Sequence, residues 1–137
     1  MAKTFVLKNE SDKKLKVDYK SELNDEQYKV VTSGEGPCLV LAGAGSGKTR
    51  TITYRVAYLI EKGIKEENIL LVTFTNKAAG EMLKRVSALI GKQPDKLWGG
   101  TFHHIGNRIL RKYAKLLGYQ SNFTILDEGD SKALLKL

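Results

Sequence analysis

The stretch LVLAGAGSGKTR, residues 39–50, constrains this chain more than any other. An apolar run from Leu39 to Leu41 passes through Gly43, Gly45 and Gly47 into Lys48 and Thr49. Interleaved glycines let the backbone take dihedrals closed to other residues, so successive N–H groups can turn inward toward anionic oxygens. Lys48 has the reach and charge to meet the β- and γ-phosphates of a nucleoside triphosphate, and the Thr49 hydroxyl suits the magnesium that bridges them. Thr49 to Ile60 reads as a helix, whose positive N-terminal end adds to the attraction. The usual pattern opens on glycine where this chain has Ala42, a small residue that can still fit. The plainer alternative is an ordinary glycine-rich turn between strand and helix. A strand before, a helix after and the Gly-Lys-Thr ending favour a phosphate grip made of Ala42, Gly43, Ala44, Gly45, Ser46, Gly47, Lys48 and Thr49.

A chain of 137 residues has room for one domain of ordinary size with a real core. Its 42% hydrophobic and 28% charged residues are those of a soluble globular protein, and no segment has the apolar length to span a bilayer. The opening MAKTFVLKNESDKKLK has a short apolar island at Phe5-Val6-Leu7 and no secretory core, so a cytoplasmic location without membrane partners is expected. Cys38 is the single cysteine, and its place at the head of an apolar strand predicts core packing. A formal charge of +8 suits a polyanionic partner, although many basic proteins bind none.

Residues 1–20 are lysine-rich and weakly patterned, and read as a basic arm, flexible or lightly docked, ahead of a domain over 21–137. In SELNDEQYKVVTSG, Asn24 and Gln27 have capping-box spacing. Gln27 has a second reading, because its amide offers a donor and an acceptor to the matching edge of adenine. Local spacing alone favours the cap. Past the turn cluster at 34–37 and the phosphate loop, Ile52, Val56, Leu59 and Ile60 mark a helix face that Gly63 closes. Ile69 to Val72 form a strand, and Ala79, Met82, Val86 and Leu89 a second helix face ending at Gly91. A short strand around Leu97 and Trp98 precedes a third face, Ile105, Ile109, Tyr113 and Leu116, which Gly118 ends. Alternating strands and helices predict an α/β fold with a parallel sheet, flanked by helices and linked by right-handed crossovers. Arg108, Arg111, Lys112 and Lys115 form a basic stripe, which is usually a solvated face and less often a phosphate contact.

Thr73, Phe74, Thr75 and Asn76 fall at the C-terminal end of a strand, where ligands bind in parallel sheets. Phe74 is either core filler or a ring on which a base stacks. The neighbouring hydroxyls and amide, suited to phosphate and sugar oxygens, favour the second. GGTFHHIG repeats this chemistry with Thr101 and His103 after a flexible Gly99-Gly100. His103 and His104 are adjacent and diverge on a helix, so they cannot clamp one metal. Asp127 and Glu128, after the apolar run from Phe123 to Leu126, imitate the acids that hold magnesium and orient water in nucleotide hydrolases. The run is short and Asp130-Ser131 can cap the last helix, which favours a surface turn.

Taken in order, LNDEQ, AGAGSGKTR, VTFTNKAAGEM, GTFHHIGNRILR and FTILDE resemble the start of a UvrD/PcrA/Rep-type superfamily 1 DNA helicase, over residues 22–137. The resemblance implies a P-loop NTPase (RecA-like) first motor domain and a parent that uses ATP and magnesium to move 3′ to 5′ along single-stranded DNA and open duplex at junctions. By motif, Gln27 would recognise adenine, a role compatible with the cap. Residues 42–49 would hold the triphosphate, with Lys48 and Thr49 catalytic and Thr49 on magnesium, and Arg50 would lie beside the nucleotide. Thr73, Phe74, Thr75, Asn76, Thr101 and His103 would line the DNA track. Gly80 stands where the family commonly has arginine, and His104 where it often has serine. In the family the acidic magnesium motif, the arginines that stabilise the transferring phosphate and the second motor domain all follow later. The expected sheet is therefore incomplete, and this piece alone is expected to bind nucleotide without unwinding or appreciable hydrolysis. The competing readings are a self-sufficient small P-loop NTPase or kinase using Asp127 and Glu128, and a non-enzymatic nucleic-acid module with a vestigial loop.

Overall fold

In this computed structural model, residues 15–34, 36–120, 122–126 and 128–136 are described. Asp127 lies outside them, as does residues 1–14 of the arm. The chain divides into two units, Met1–Thr101 and Phe102–Leu137.

In the first unit, α1 (Tyr19–Glu22) is capped by the Asp18 carboxylate, which accepts from the Ser21 N–H. The expected capping box opens α2 (Asp25–Thr32): Asn24 Oδ1 accepts from the Gln27 N–H at 2.8 Å, and Gln27 Oε1 from the Asn24 N–H at 3.3 Å. Two otherwise orphaned donors are satisfied reciprocally. The glycine-rich loop leads into α3 (Lys48–Glu61), and Gly63, at φ 94°, turns the chain away as predicted. A 3-10 turn at Glu66–Asn68 feeds β1 (Leu70–Thr73), then α4 (Asn76–Ile90), stopped by left-handed Gly91, then β2 (Trp98–Thr101).

β1 and β2 pair in parallel, with Leu70 opposite Trp98 and Thr73 opposite Thr101, so their C-terminal ends share one edge. Parallel strands need a crossover, and α4 provides it. Val56 and Ala57 of α3, Ile69 and Leu71, Met82, Val86 and Ile90 of α4, and Leu97 form the main core. A fully buried side chain such as Val86 contributes about 1.5–3 kcal/mol. Gly99 lies inside β2 and not in a flexible lead-in to it, and a Cβ atom there would stand 2.6 Å from Leu83 Cδ2. The bare backbone lets α4 pack close to the strand.

A second cluster joins Tyr19, Leu23 and Val31 to Tyr54 and Tyr58 of α3, with Leu15 and Val17 packed against it. Tyr19 meets both α3 rings edge-on and donates its hydroxyl to Glu61 at 2.8 Å. Burial and then the Glu61 carboxylate push the Tyr19 phenol well above its ordinary range. The end of the basic stretch, residues 15–20, thus includes a buried aromatic anchor.

Three expectations about this unit are corrected. Leu39 to Leu41 do not form a strand: the segment has no ladder among the described residues, and Leu39 and Leu41 are 86% and 88% exposed. An apolar run becomes a buried strand only when other strands flank it, and β1 and β2 pair with each other instead. Cys38, at its head, is exposed for the same reason and packs in no core. Ile52 is exposed, and the buried face of α3 runs through Thr53, Val56 and Ala57.

The second unit begins with α5 (Phe102–Tyr113), continues in a 3-10 turn at Ala114–Leu117, and turns at Gly118, φ 78°. Of the expected α5 face, Ile105 is buried, whereas Ile109, Tyr113 and Leu116 are exposed. From the basic stripe, the Arg111 guanidinium stands 5.1 Å from the Phe123 ring centre. The last helix, α6 (Glu128–Leu134), starts upstream of its expected caps, so Asp130 and Ser131 lie within it. No helix among the described residues is long and apolar enough to cross a membrane.

Candidate functional site

Between residues 42 and 47 the chain makes a compact turn. Gly45 and Gly47 adopt φ of 75° and 84°, the left-handed region where other residues are strained. Gly43 does not; its carbonyl is instead the hub of the turn. It accepts from the Ser46 N–H at 3.4 Å, the Ser46 hydroxyl at 2.8 Å and Lys48 Nζ at 2.6 Å. Lys48 Nζ also donates to the Ala42 carbonyl at 3.2 Å. The ammonium therefore rests on the loop's own carbonyls. Those bonds are exposed, so an incoming anion can draw the side chain off without unpacking anything.

Left-handed Gly47 precedes α3 directly, and no side chain caps the helix. The first intrahelical bond runs from the Thr51 N–H to the Gly47 carbonyl, at 2.9 Å. The N–H groups of Lys48, Thr49 and Arg50 are the unsatisfied first turn that every helix has, here beside an exposed ammonium and the exposed Thr49. Uncapped donors, the helix dipole and Lys48 all favour negative charge at this point, and the Thr49 hydroxyl is a neutral oxygen of the kind a hard cation accepts.

On one side the loop meets α1 and α2. Gln27 Nε2 donates to the Ser46 carbonyl at 3.1 Å while its Oε1 completes the capping box, so one amide serves both elements. A Cβ atom on Gly47 would meet that Nε2 at 2.7 Å. Arg50 Nη2 donates to the Glu22 carbonyl at 2.7 Å and to the Glu22 carboxylate at 2.9 Å. Its guanidinium also lies over the Tyr54 ring, 5.1 Å from the centre. Burial raises the Tyr54 phenol; Arg50 opposes that rise and the Glu22 carboxylate adds to it. Sequence reasoning passed over Glu22 and Tyr54. Tyr54 follows Arg50 by one helical turn, a spacing that signals contact, whereas nothing local singles out Glu22.

At the C-terminal edge of the sheet, Thr73 and Thr101 are register partners. Phe74 is 88% exposed, so it is not core filler. The Thr75 hydroxyl accepts from the Ala78 N–H at 3.2 Å as the N-cap of α4, a structural task that leaves its own proton to donate. Asn76 starts that helix and is exposed. Thr101 is mostly buried. His103 belongs to the second unit, on the first turn of α5, and is exposed. Glu128 accepts from Lys132 one turn later at 2.6 Å.

Residues 23–137 match the model of the UvrD/REP helicase N-terminal domain. Over 117 residues, 85% of this chain, the sequence is 50% identical to the ATP-dependent DNA helicase PcrA of Staphylococcus aureus strain Mu50, and covers 16% of that protein. The PcrA of Staphylococcus epidermidis strain ATCC 12228 is 50% identical over 115 residues, 83% of this chain and 16% of the relative. The chain thus spans about one sixth of the length of the curated relatives it matches. With a family match over most of its residues and half of them shared with PcrA, this chain belongs to the UvrD/REP helicase N-terminal domain family.

Proposed function

We propose that this chain is the nucleotide-gripping part of a superfamily 1 DNA helicase, built on a P-loop NTPase (RecA-like) plan. The observation that carries the reading is the uncapped start of α3 behind left-handed Gly45 and Gly47, with Lys48 exposed above it. This arrangement fits a triphosphate with its magnesium. Residues 42–49 donate main-chain N–H groups to phosphate oxygens, Lys48 leaves the Gly43 carbonyl to neutralise the terminal phosphates, and Thr49 offers its hydroxyl to the metal. Gln27 reads the adenine edge from α2, and Arg50 stands beside the nucleotide. ATP with magnesium supplies the phosphoryl-transfer chemistry when bound.

In the same reading, Thr73, Phe74, Thr75, Asn76 and Thr101 of the first unit face single-stranded DNA, with hydroxyls and amide on phosphate and sugar and the exposed Phe74 ring beneath a base; His103, on the second unit, is a separate contact to the strand. The whole protein couples ATP hydrolysis to 3′–5′ movement along one strand and opens duplex at single- to double-strand junctions, working with helicase domains outside this chain. The domain takes in the end of the basic stretch as well as residues from 21 onward, because Tyr19 is buried in the cluster with Leu23 and Val31. By itself the piece binds nucleotide without unwinding DNA or turning ATP over appreciably, because charge stabilisation of the leaving phosphoryl group needs further residues.

Equilibrium titration with Mg–ATP tests the grip: saturable binding by the chain and its loss in Lys48→Ala is the expected result, and no binding by the unaltered chain defeats the reading. A single-stranded oligonucleotide tests the track. Weak binding that falls with salt and falls further in Phe74→Ala supports it; binding indifferent to Phe74 removes the ring from the interface.

A further inference from the structure

Glu22 has no part in the reading above, yet it holds Arg50, to which that reading gives a place beside the nucleotide. Its main-chain carbonyl and carboxylate both accept from Arg50 Nη2, at 2.7 and 2.9 Å, and the same carboxylate oxygen accepts from the Tyr54 hydroxyl at 3.1 Å. Arg50 Nη2 stands 3.4 Å from that hydroxyl, and one face of the guanidinium lies on the Tyr54 ring. Every polar contact of the guanidinium uses the same nitrogen, Nη2. Among the described residues, Nε and Nη1 have no protein acceptor.

The Arg50 and Glu22 side chains are 45% and 51% exposed. At such exposure solvent screening leaves an ion pair little to contribute to folding. A pair that stabilises weakly but is held at several points serves orientation instead. Left loose in the first turn of α3, the Arg50 side chain would sample many rotamers, and any anion in the adjoining loop would attract it. Tied to Glu22, it stays on the α2 side of the loop, where Gln27 also stands. From the Cβ position of Gly47, Gln27 Nε2 lies at 2.7 Å and Arg50 Cβ at 3.9 Å.

We propose that Glu22 is a positioning residue for nucleotide binding: acting through Arg50, it fixes one edge of the guanidinium so that the free edge meets the base and sugar of a nucleotide held by the loop. The inference rests on the nucleotide-binding reading above and adds to it a residue and a division of labour. Lys48 and the loop amides meet the phosphates; the Glu22–Arg50–Tyr54 set meets the rest. Pre-orienting one long side chain lowers the ordering cost at binding.

The test compares Mg–ATP with Mg–tripolyphosphate, which has the phosphates without base or sugar, on the full 137-residue chain. Glu22→Ala is expected to weaken ATP about three- to tenfold, the scale of ordering one rotamer-rich side chain, and to leave tripolyphosphate within about twofold. Glu22→Gln, which keeps an acceptor, falls between Glu22→Ala and the unaltered chain. The double variant Glu22→Ala/Arg50→Ala binds ATP as Arg50→Ala does, since Glu22 has nothing left to position. Equal loss of both ligands, unchanged ATP affinity, or additive losses in the double variant would each overturn the proposal. Should Glu22→Ala fail to fold by circular dichroism, Tyr54→Phe takes its place: it keeps the ring, removes the hydroxyl's hold on Glu22, and is expected to weaken ATP selectively, an unchanged ratio being the contrary result. If the unaltered chain binds neither ligand, the nucleotide reading fails and this inference with it. If it binds ATP through Lys48 while the Glu22 variants match it, only the inference fails.

Discussion

A Cβ atom on Gly47 would stand 2.7 Å from Nε2 of Gln27, so the loop and α2 touch at a point where only a hydrogen fits. The same amide bonds the Ser46 carbonyl and the Asn24 N–H, and moving it aside breaks both bonds. Gly47 thus has two independent reasons to be glycine, its φ of 84° and the closeness of Gln27.

Gly47→Ala is accordingly expected to lower unfolding free energy by about 1–3 kcal/mol, the scale of left-handed strain in a non-glycine residue, and to weaken Mg–ATP in parallel. Adding Gln27→Ala should recover part of the loss by making room, so the two changes will not be additive. Denaturant melts of the single and double variants measure this. Strict additivity would mean that the two residues do not press on each other.

Acid sensitivity follows from Glu66, whose carboxylate is joined by Lys92 Nζ at 2.5 Å and accepts from the Lys96 N–H at 3.4 Å. The Lys92 bond, assisted by the Lys96 N–H, holds its carboxyl below the ordinary glutamate value of 4.5 against the opposing effect of burial. A depressed folded-state value means stability that is fully present above the unfolded value near 4.5 and lost as pH falls through the folded one. Lys92→Met should therefore reduce stability above about pH 5 and draw level with the unaltered chain in stronger acid. Thermal melts between neutral pH and pH 3 would show the two curves converging downward; a constant gap would exclude Glu66 as the titrating group.

Gly80 lies inside α4 at a backbone conformation open to any residue, and a Cβ there meets nothing within 4 Å. Gly80→Ala should raise stability by about 0.5–1 kcal/mol, because glycine in a helix interior costs backbone entropy. A lower denaturation midpoint in the variant would show that the position is not as open as it looks.

Gly99 is the opposite case. Its Cβ would collide with Leu83 Cδ2 at 2.6 Å and crowd Leu83 Cγ at 3.2 Å, so the whole leucine tip has to move. Gly99→Ala is expected to cost about 1–3 kcal/mol by overpacking β2 against α4. Leu83→Ala in the same chain should be less harmful than Leu83→Ala alone, which leaves an unfilled gap. The reverse order would place the crowding elsewhere.

Features whose signal is local could be read from the sequence. The capping box at Asn24 and Gln27, the turns at Gly63, Gly91 and Gly118, and the buried face of α4 each depend on residues a few positions apart. The left-handed turn at Gly45 and Gly47 and the helix start behind it belong to the same kind. Leu39 to Leu41 misled because apolar composition records what a segment is suited to, whereas burial depends on neighbours that pair with it. Ile52 misled because the buried stripe of α3 includes Thr53, a threonine whose hydroxyl is satisfied by the Thr49 and Arg50 carbonyls. Glu22 could not be found at all: its tie to Arg50 spans 28 residues and joins two half-exposed side chains.

Tyr19 closes the cluster between α1, α2 and α3 and donates to Glu61, yet it precedes Leu23, where the helicase signature begins. Trimming the polypeptide to its recognisable boundary would keep every signature residue and still unroof Val31, strand the Glu61 carboxylate and discard the Glu22 anchor. The smallest piece worth producing on its own therefore starts upstream of the first residue that any motif would mark.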